Sequence, residues 1–265
     1  MLDFSIKNYY NINDLVKILK LLRSENGCPW DKVQTHESIR NNFIEEVYEA
    51  IEAIDKNDVE LLKEELGDVL LQVVFHSEIE DELSHFSFED VVNDICSKLI
   101  IRHPHVFSDL NVSGTSEVLA NWEAIKNKTK GTKSYTETLK NVPAVLPSLM
   151  RASKISDRAS KAGMDFPDKK SAFSSLISEI DELDCAIKAN NIDDISDELG
   201  DVLFSSVNVA RKFGISSEEA LTRACEKFIS RFEKVEELTR LDGKDMKSLS
   251  IDELDAYWKK AKIKI

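Results

Sequence analysis

Apolar side chains recur along this chain at the spacing of an α-helix face. Ile44, Val47, Tyr48, Ile51 and Ile54 fall at i, i+3, i+4 and i+7 positions, and Leu62, Leu66, Val69, Leu70 and Val73 continue the pattern on the next segment. Between the two runs lies Asp55-Lys56-Asn57-Asp58, a polar cluster suited to a turn, so the pattern predicts a helical hairpin. A second hairpin is predicted from Leu176, Ile180, Leu183 and Ile187, a turn near Asn190-Asn191, and then Ile195, Leu199, Val202, Leu203 and Val207. Asn57 and Asn190 are 133 residues apart.

The polar positions repeat with the same offset. Glu46, Glu49, Glu65 and Asp68 return as Glu179, Glu182, Glu198 and Asp201, each displaced by 133 residues. A further match at an offset of 129 relates Ser87, Glu89, Cys96, Lys98, Ile100 and Arg102 to Ser216, Glu218, Cys225, Lys227, Ile229 and Arg231. Each half therefore reads as a hairpin plus at least one more helix. Ser87 and Ser216 are the expected N-caps, with acidic residues in the first turn. The stretch from Lys126 to Lys133 is basic and polar, and Pro143 and Pro147 punctuate the entry to the second half. The expected organisation is an N-terminal helical domain over residues 1–125, a basic linker over 126–138 and a C-terminal helical domain over 139–265. The fold class is all-α.

Composition supports that class. Apolar residues make up 42% of the 265, enough for real cores, while 8 glycines and 5 prolines are too few for a turn-rich β architecture. The net charge of −14 opposes binding of a nucleic-acid polymer, whose partners are usually basic; a small anion delivered with a divalent cation meets a lower barrier. Four dispersed cysteines with no CxxC pair suit reduced thiols in the cytoplasm. The N-terminal stretch lacks the pattern of a secretory signal, and no run reaches the roughly 18 apolar residues of a membrane span.

Residues three apart lie on one helix face, about 5–6 Å between Cβ atoms. Glu46 and Asp68 are both eleven residues from Asn57, and Glu49 and Glu65 are both eight from it. In an antiparallel hairpin, partners equally far from the turn stand at equal height, so two rungs of carboxylates face each other. The same arithmetic about Asn190 pairs Glu179 with Asp201 and Glu182 with Glu198. A lone ExxE pair is ordinary solvated helix surface, but four acids on matched rungs repel unless a cation fills the space or some stay protonated. Hard oxygen donors suit Mg²⁺, with Mn²⁺ as the alternative, and Mg²⁺ bridges phosphate oxygens. Gly67 and Gly200, just before each Asp, are expected where helices approach closely or a ligand needs room. Lys98 with Arg102, and Lys227 with Arg231, are four apart and able to reach one phosphate chain; the plainer reading is a basic stripe. Trp122 and Trp258 are either core or base-stacking residues. No histidine is followed by aspartate, there is no Walker glycine loop and no GxSxG, and only one Glu-x-x-His occurs, which disfavours other metal and nucleophile chemistries.

These residues resemble the MazG family of nucleoside triphosphate pyrophosphohydrolases, within the all-α NTP pyrophosphatase superfamily. Its motif, EExxE followed by ExxD, is met in full by Glu45, Glu46, Glu49, Glu65 and Asp68. Similarity to the two-domain bacterial form extends through Gly27-Cys28-Pro29-Trp30-Asp31 with Gln34-Thr35-His36, Arg102-His103-Pro104-His105-Val106-Phe107 and Trp122-Glu123-Ala124-Ile125-Lys126. It continues through Val142-Pro143-Ala144-Val145-Leu146-Pro147 and Glu226-Lys227-Phe228 with Arg231. The resemblance implies two tandem MazG-like domains, a homodimer, and Mg²⁺-dependent hydrolysis of an NTP to the monophosphate and pyrophosphate. It places activity in the C-terminal domain, with Glu179, Glu182, Glu198 and Asp201 on the metal. Lys227 and Arg231 would hold phosphates, and Trp258 and Lys126 would contact the nucleotide. In the N-terminal copy, Glu45, Lys98 and Arg102 are the corresponding nucleotide residues. Copy two departs from the pattern at Ser178, where the motif has Glu, and at Ser175 and Asp194, where relatives have lysines, which leaves the intact first copy, or both copies, as alternative working sites. The alternatives are a catalytically inactive helical dimer that binds nucleotide or a protein, and a narrower dUTP or phosphoribosyl-ATP pyrophosphatase.

Overall fold

The computed structural model describes residues 4–108, 110, 112–115, 117–118, 121–122, 125 and 134–263. Every regular element among them is helical, and the chain divides into two compact units, residues 1–130 and 131–265.

In the first unit, α1 (Ile12–Arg23) leads through a short α2 (Pro29–Lys32) to α3 (His36–Lys56) and α4 (Val59–Glu82), followed by α5 (Phe88–Arg102) and α6 (Pro104–Phe107). Local chemistry sets the starts. Asn11 and Asp14 form a capping box on α1, Thr35 with Ser38 does so on α3, and Ser87 with Asp90 on α5. The hairpin turn is two residues long. Asn57 caps α3 in the left-handed region at φ 54°, a conformation asparagine tolerates, and the Asp58 carboxylate accepts from Leu61 N to start α4. Leu19 of α1, Ile39 of α3, and Val74, Phe75 and Ile79 of α4 form the core, with Leu15, Val16, Leu22, Leu71 and Phe88 around them.

In the second unit, α7 (Tyr135–Lys140) and α8 (Ser148–Lys161) precede the hairpin α9 (Lys169–Ala189) and α10 (Ile192–Lys212); α11 (Ser217–Leu241), a 3₁₀ turn and α12 (Ile251–Ile263) complete it. Asn190 repeats the turn at φ 55°, and Asn191 caps α10. Val235, Tyr257 and Ala261 form a small core where α11 meets α12, with Leu238, Met246, Leu249 and Trp258 packed on it.

Both hairpins close through small side chains. Ala50, Ala53 and its repeat Ala186 are buried, and Ala172 is buried where the first unit has the core residue Ile39. The large apolar stripe is not buried within its own unit. Ile44, Val47, Tyr48, Ile51 and Ile54 are all exposed, as are Leu66 and Leu70, and in the second unit Ile180, Ile187, Leu199 and Leu203. The stripe lies beside the hairpin seam and stays open within its unit. One expectation for Gly67 and Gly200 is corrected. A Cβ built at either meets nothing within 4 Å, so neither glycine permits a close helix approach within its unit.

A pair of carboxylate cages and what surrounds them

The rung arithmetic is realised in both hairpins. Carboxylate oxygens of Glu46, Glu49 and Glu65 all lie within 4.8 Å of one another, and so do those of Glu179, Glu182 and Glu198. Asp68 and Asp201 stand next to these trios without joining them, which accords with a side chain one methylene shorter.

Both cages are crowded with like charge. Glu46 has its carboxyl pushed above the usual range by burial, then by Asp68, Glu49 and Glu45, in that order. Glu65, 9% exposed, is raised by burial first, then by Glu49 and Asp68. Glu198 is raised by burial, then by Glu182, Asp201 and Glu179. The strongest charge acting on each is its partner across the hairpin: Asp68 for Glu46, Glu49 for Glu65, Glu182 for Glu198. A divalent cation among three such oxygens would offset the mutual repulsion that raises these carboxyls. All-oxygen donors fit a hard cation.

The surroundings of the two cages differ. In the first, Gln72 lies one helical turn beyond Asp68 and beside Glu46, whose carboxyl it pulls partly back down. Glu45 is exposed beside it. In the second, the Ser178 hydroxyl donates to the Glu182 carboxylate at 3.2 Å, so the residue that departs from the motif still holds a cage ligand. Asp194 accepts from the Asn191 side-chain amide at 2.7 Å and belongs to the start of α10. An open depression of about 460 Å³ borders this cage, lined among others by Ser178, Asp181, Glu182, Cys185, Asp194 and Glu198. That volume is of the size of small-molecule sites.

The basic and aromatic residues are placed less uniformly. Lys98 is exposed on α5 with its Nζ 4.0 Å from Asp94, and the Arg102 guanidinium lies over the Trp122 ring at 5.5 Å. Lys227 is exposed on α11. Arg231 is half-buried one turn later, with its Nε lacking a partner. Trp258 packs on the α11–α12 core, its ring centroid 5.1 Å from that of Phe228, so much of it serves as core. Lys126 and the basic stretch to Lys133 lie outside the described residues.

Two features were not legible in the sequence. One is Gln72. The other is a string of side chains further along the first hairpin: His76 to His36 at 2.7 Å, His36 to Glu80 at 2.6 Å, and Glu80 to His85 at 2.7 Å. The signal that could have found them is positional, since Asp68, Gln72, His76 and Glu80 recur every four residues on one face of α4.

A profile of the MazG nucleotide pyrophosphohydrolase domain matches residues 34–107 and again 168–236, each segment containing one cage. Among characterised sequences, the nucleoside triphosphate pyrophosphohydrolase/pyrophosphatase MazG of Thermotoga maritima is 43% identical over 249 residues, covering 94% of both chains. The nucleoside triphosphate pyrophosphohydrolase of Escherichia coli K12 is 39% identical over 254 residues, 95% of this chain and 97% of that one. The uncharacterized protein YabN of Bacillus subtilis is 41% identical over 96% of this chain, which spans 52% of YabN.

Proposed function

This chain belongs to the MazG family of nucleotide pyrophosphohydrolases and is a nucleoside triphosphate pyrophosphohydrolase, and we propose that its two glutamate cages are the sites at which the divalent cation is held. The observation that carries this reading is the trio Glu179, Glu182 and Glu198, repeated at Glu46, Glu49 and Glu65, each with oxygens within 4.8 Å of one another. We take the cation to be Mg²⁺, which suits all-oxygen donors and a polyphosphate substrate. When bound, it supplies charge neutralisation on the phosphate oxygens and Lewis-acid polarisation of the phosphorus.

The reaction adds water across the bond between the α- and β-phosphates, giving the nucleoside monophosphate and pyrophosphate. In the second unit, Glu179, Glu182, Glu198 and Asp201 would hold the cation against the triphosphate, and a cage carboxylate takes the proton of the attacking water. Lys227 and Arg231, one turn apart on α11, offset the negative charge that develops on the departing pyrophosphate. Trp258, with Lys126, is assigned to the nucleotide. Glu45, Lys98 and Arg102 are the equivalent set in the first unit. The residues support the second unit as the working site through family resemblance, while the first carries the complete EExxE motif.

The exposed apolar stripes beside both seams support a homodimer, because contiguous apolar surface of this kind marks an interaction face. Light scattering should give twice the chain mass. No helix among the described residues is long and apolar enough to cross a membrane. The decisive experiment measures pyrophosphate release from a panel of NTPs. Glu198→Ala with Asp201→Ala, and separately Glu65→Ala with Asp68→Ala, should show at least a hundredfold loss in one of the two pairs. If neither pair lowers turnover, the cages are not the reaction centre. Orthophosphate as first product would overturn the assigned bond cleavage.

A further inference from the structure

The two cages share their ligands but not their backing. Asp68 and Asp201 are equivalent, and one turn beyond them stand Gln72 and Ser205. Gln72 is 8% exposed and Ser205 6%. The long amide stands beside the cage, close enough to pull the Glu46 carboxyl down. An amide offers two donor hydrogens on Nε2 and an acceptor at Oε1. Oε1 is fully buried and has no hydrogen-bond partner. A buried amide oxygen left unpaired is costly, and such groups are normally satisfied. Serine at 205 has no comparable reach.

Three observations thus converge: three carboxylates close enough to share a cation, a buried amide one turn from Asp68 beside one of them, and on that amide a buried acceptor with nothing to accept from. A hard cation of Mg²⁺ type keeps several waters, and each presents protons to its surroundings. We propose that Gln72 is the outer-shell positioning residue of the first cage, holding Glu46 through Nε2 and receiving a hydrogen bond from the cation's hydration shell at Oε1. This rests on the cage reading. It predicts that the two cages differ in cation affinity for a reason outside their ligands. Partners one step removed from the metal typically set affinity by 10–100-fold.

The test titrates Mn²⁺ alone into the full-length protein by calorimetry, with the second cage disabled by Glu198→Gln and Asp201→Asn. In that background Gln72→Ser, which installs the residue of the second unit, should weaken Mn²⁺ binding 10–100-fold. Gln72→Met fills nearly the same volume without hydrogen bonding and should lose as much. Helix content should stay unchanged in both. If Gln72→Met binds Mn²⁺ as tightly as the parent, Gln72 only packs and the proposal falls. The methionine variant decides the matter even if the serine variant fails to fold. If the parent itself binds no Mn²⁺, the cage reading fails together with this one, which separates the two failures. The reciprocal variant, Ser205→Gln with the first cage disabled by Glu65→Gln and Asp68→Asn, should tighten binding at the second cage; no gain there counts against the assignment.

Discussion

The imidazoles of His36 and His76 meet Nδ1 to Nδ1 at 2.7 Å, with their rings stacked 7° from parallel at a centroid distance of 5.0 Å. One nitrogen must donate and the other accept. The Glu80 carboxylate, 2.6 Å from His36 Nε2, takes the His36 proton on that side. The contact survives with the proton on either Nδ1 and is lost when both nitrogens carry one. Glu80 stays ionised, held below the usual carboxylate range by His85 first and then His36. His76 is held below its ordinary value by burial first and by His36 second. On the neighbouring α1–α4 contact, Lys20 and Arg23 face Glu78, Asp81 and Glu82.

A histidine with a lowered folded pKa gives stability that is present above its unfolded value near 6.5 and lost as pH falls through the folded pKa. Acid should therefore loosen the first turns of α3 from α4. Hydrogen exchange corrected for intrinsic rate should show protection of residues 36–45 falling roughly tenfold between pH 7.5 and 5.5. His76→Val, which copies Val209 of the second unit, should flatten that dependence. Equal pH dependence in both proteins would refute the assignment.

Glu78 should pull the other way. It is 8% exposed on α4, and burial pushes its carboxyl up to about 7 despite Lys20 at 4.0 Å. A raised acid pKa means stability present below the unfolded value of 4.5 and lost as pH rises toward 7. Glu78→Gln should raise the unfolding midpoint at pH 8, by up to roughly 3 kcal/mol in free energy, and change little at pH 4. A destabilised variant at pH 8 would mean that the ion pair with Lys20 outweighs burial.

In the second unit, Asp165 bridges Arg211 and Lys212, the latter at 2.7 Å, and these partners lower its carboxyl to about 2. The sign is the usual one for a lowered acid. Its stabilisation is present above pH 3.8 and lost as pH falls toward 2. With its side chain 30% exposed, solvent screening reduces the effect to about 1 kcal/mol. Asp165→Asn should cost that much in chemical denaturation at pH 7 and nothing at pH 2.

Gly27 turns the chain from α1 into the Cys28-Pro29-Trp30-Asp31 segment. A Cβ there would sit 2.2 Å from the Leu21 carbonyl oxygen and 2.3 Å from that of Leu22, both backbone atoms unable to move aside cheaply. Cys28 N also donates to Leu22 O at 2.7 Å. Gly27→Ala should destabilise the first unit by roughly 1–3 kcal/mol, seen as a lower thermal midpoint, while Gly67→Ala should be neutral or slightly favourable.

Much of this molecule is a matter of local chemistry, and local chemistry is written in order along the chain. Helix periods, the caps at Ser87, Ser216 and Asp58, and the asparagine turns at 57 and 190 depend on neighbours within four residues. Counting from those turns was enough to bring Glu49 to Glu65 and Glu182 to Glu198. The repeat also pointed to a duplicated architecture without any knowledge of packing. The way helices lie against one another is not written in that order. The apolar stripe of Ile44, Val47, Tyr48, Ile51 and Ile54 is visible as a stripe, but only the rotation of α3 about its axis decides that alanines, not these residues, meet α4. Gln72 and His36 are ordinary polar residues in sequence. Their meaning appears only when burial removes water and leaves an amide oxygen without a donor and two imidazoles sharing one proton.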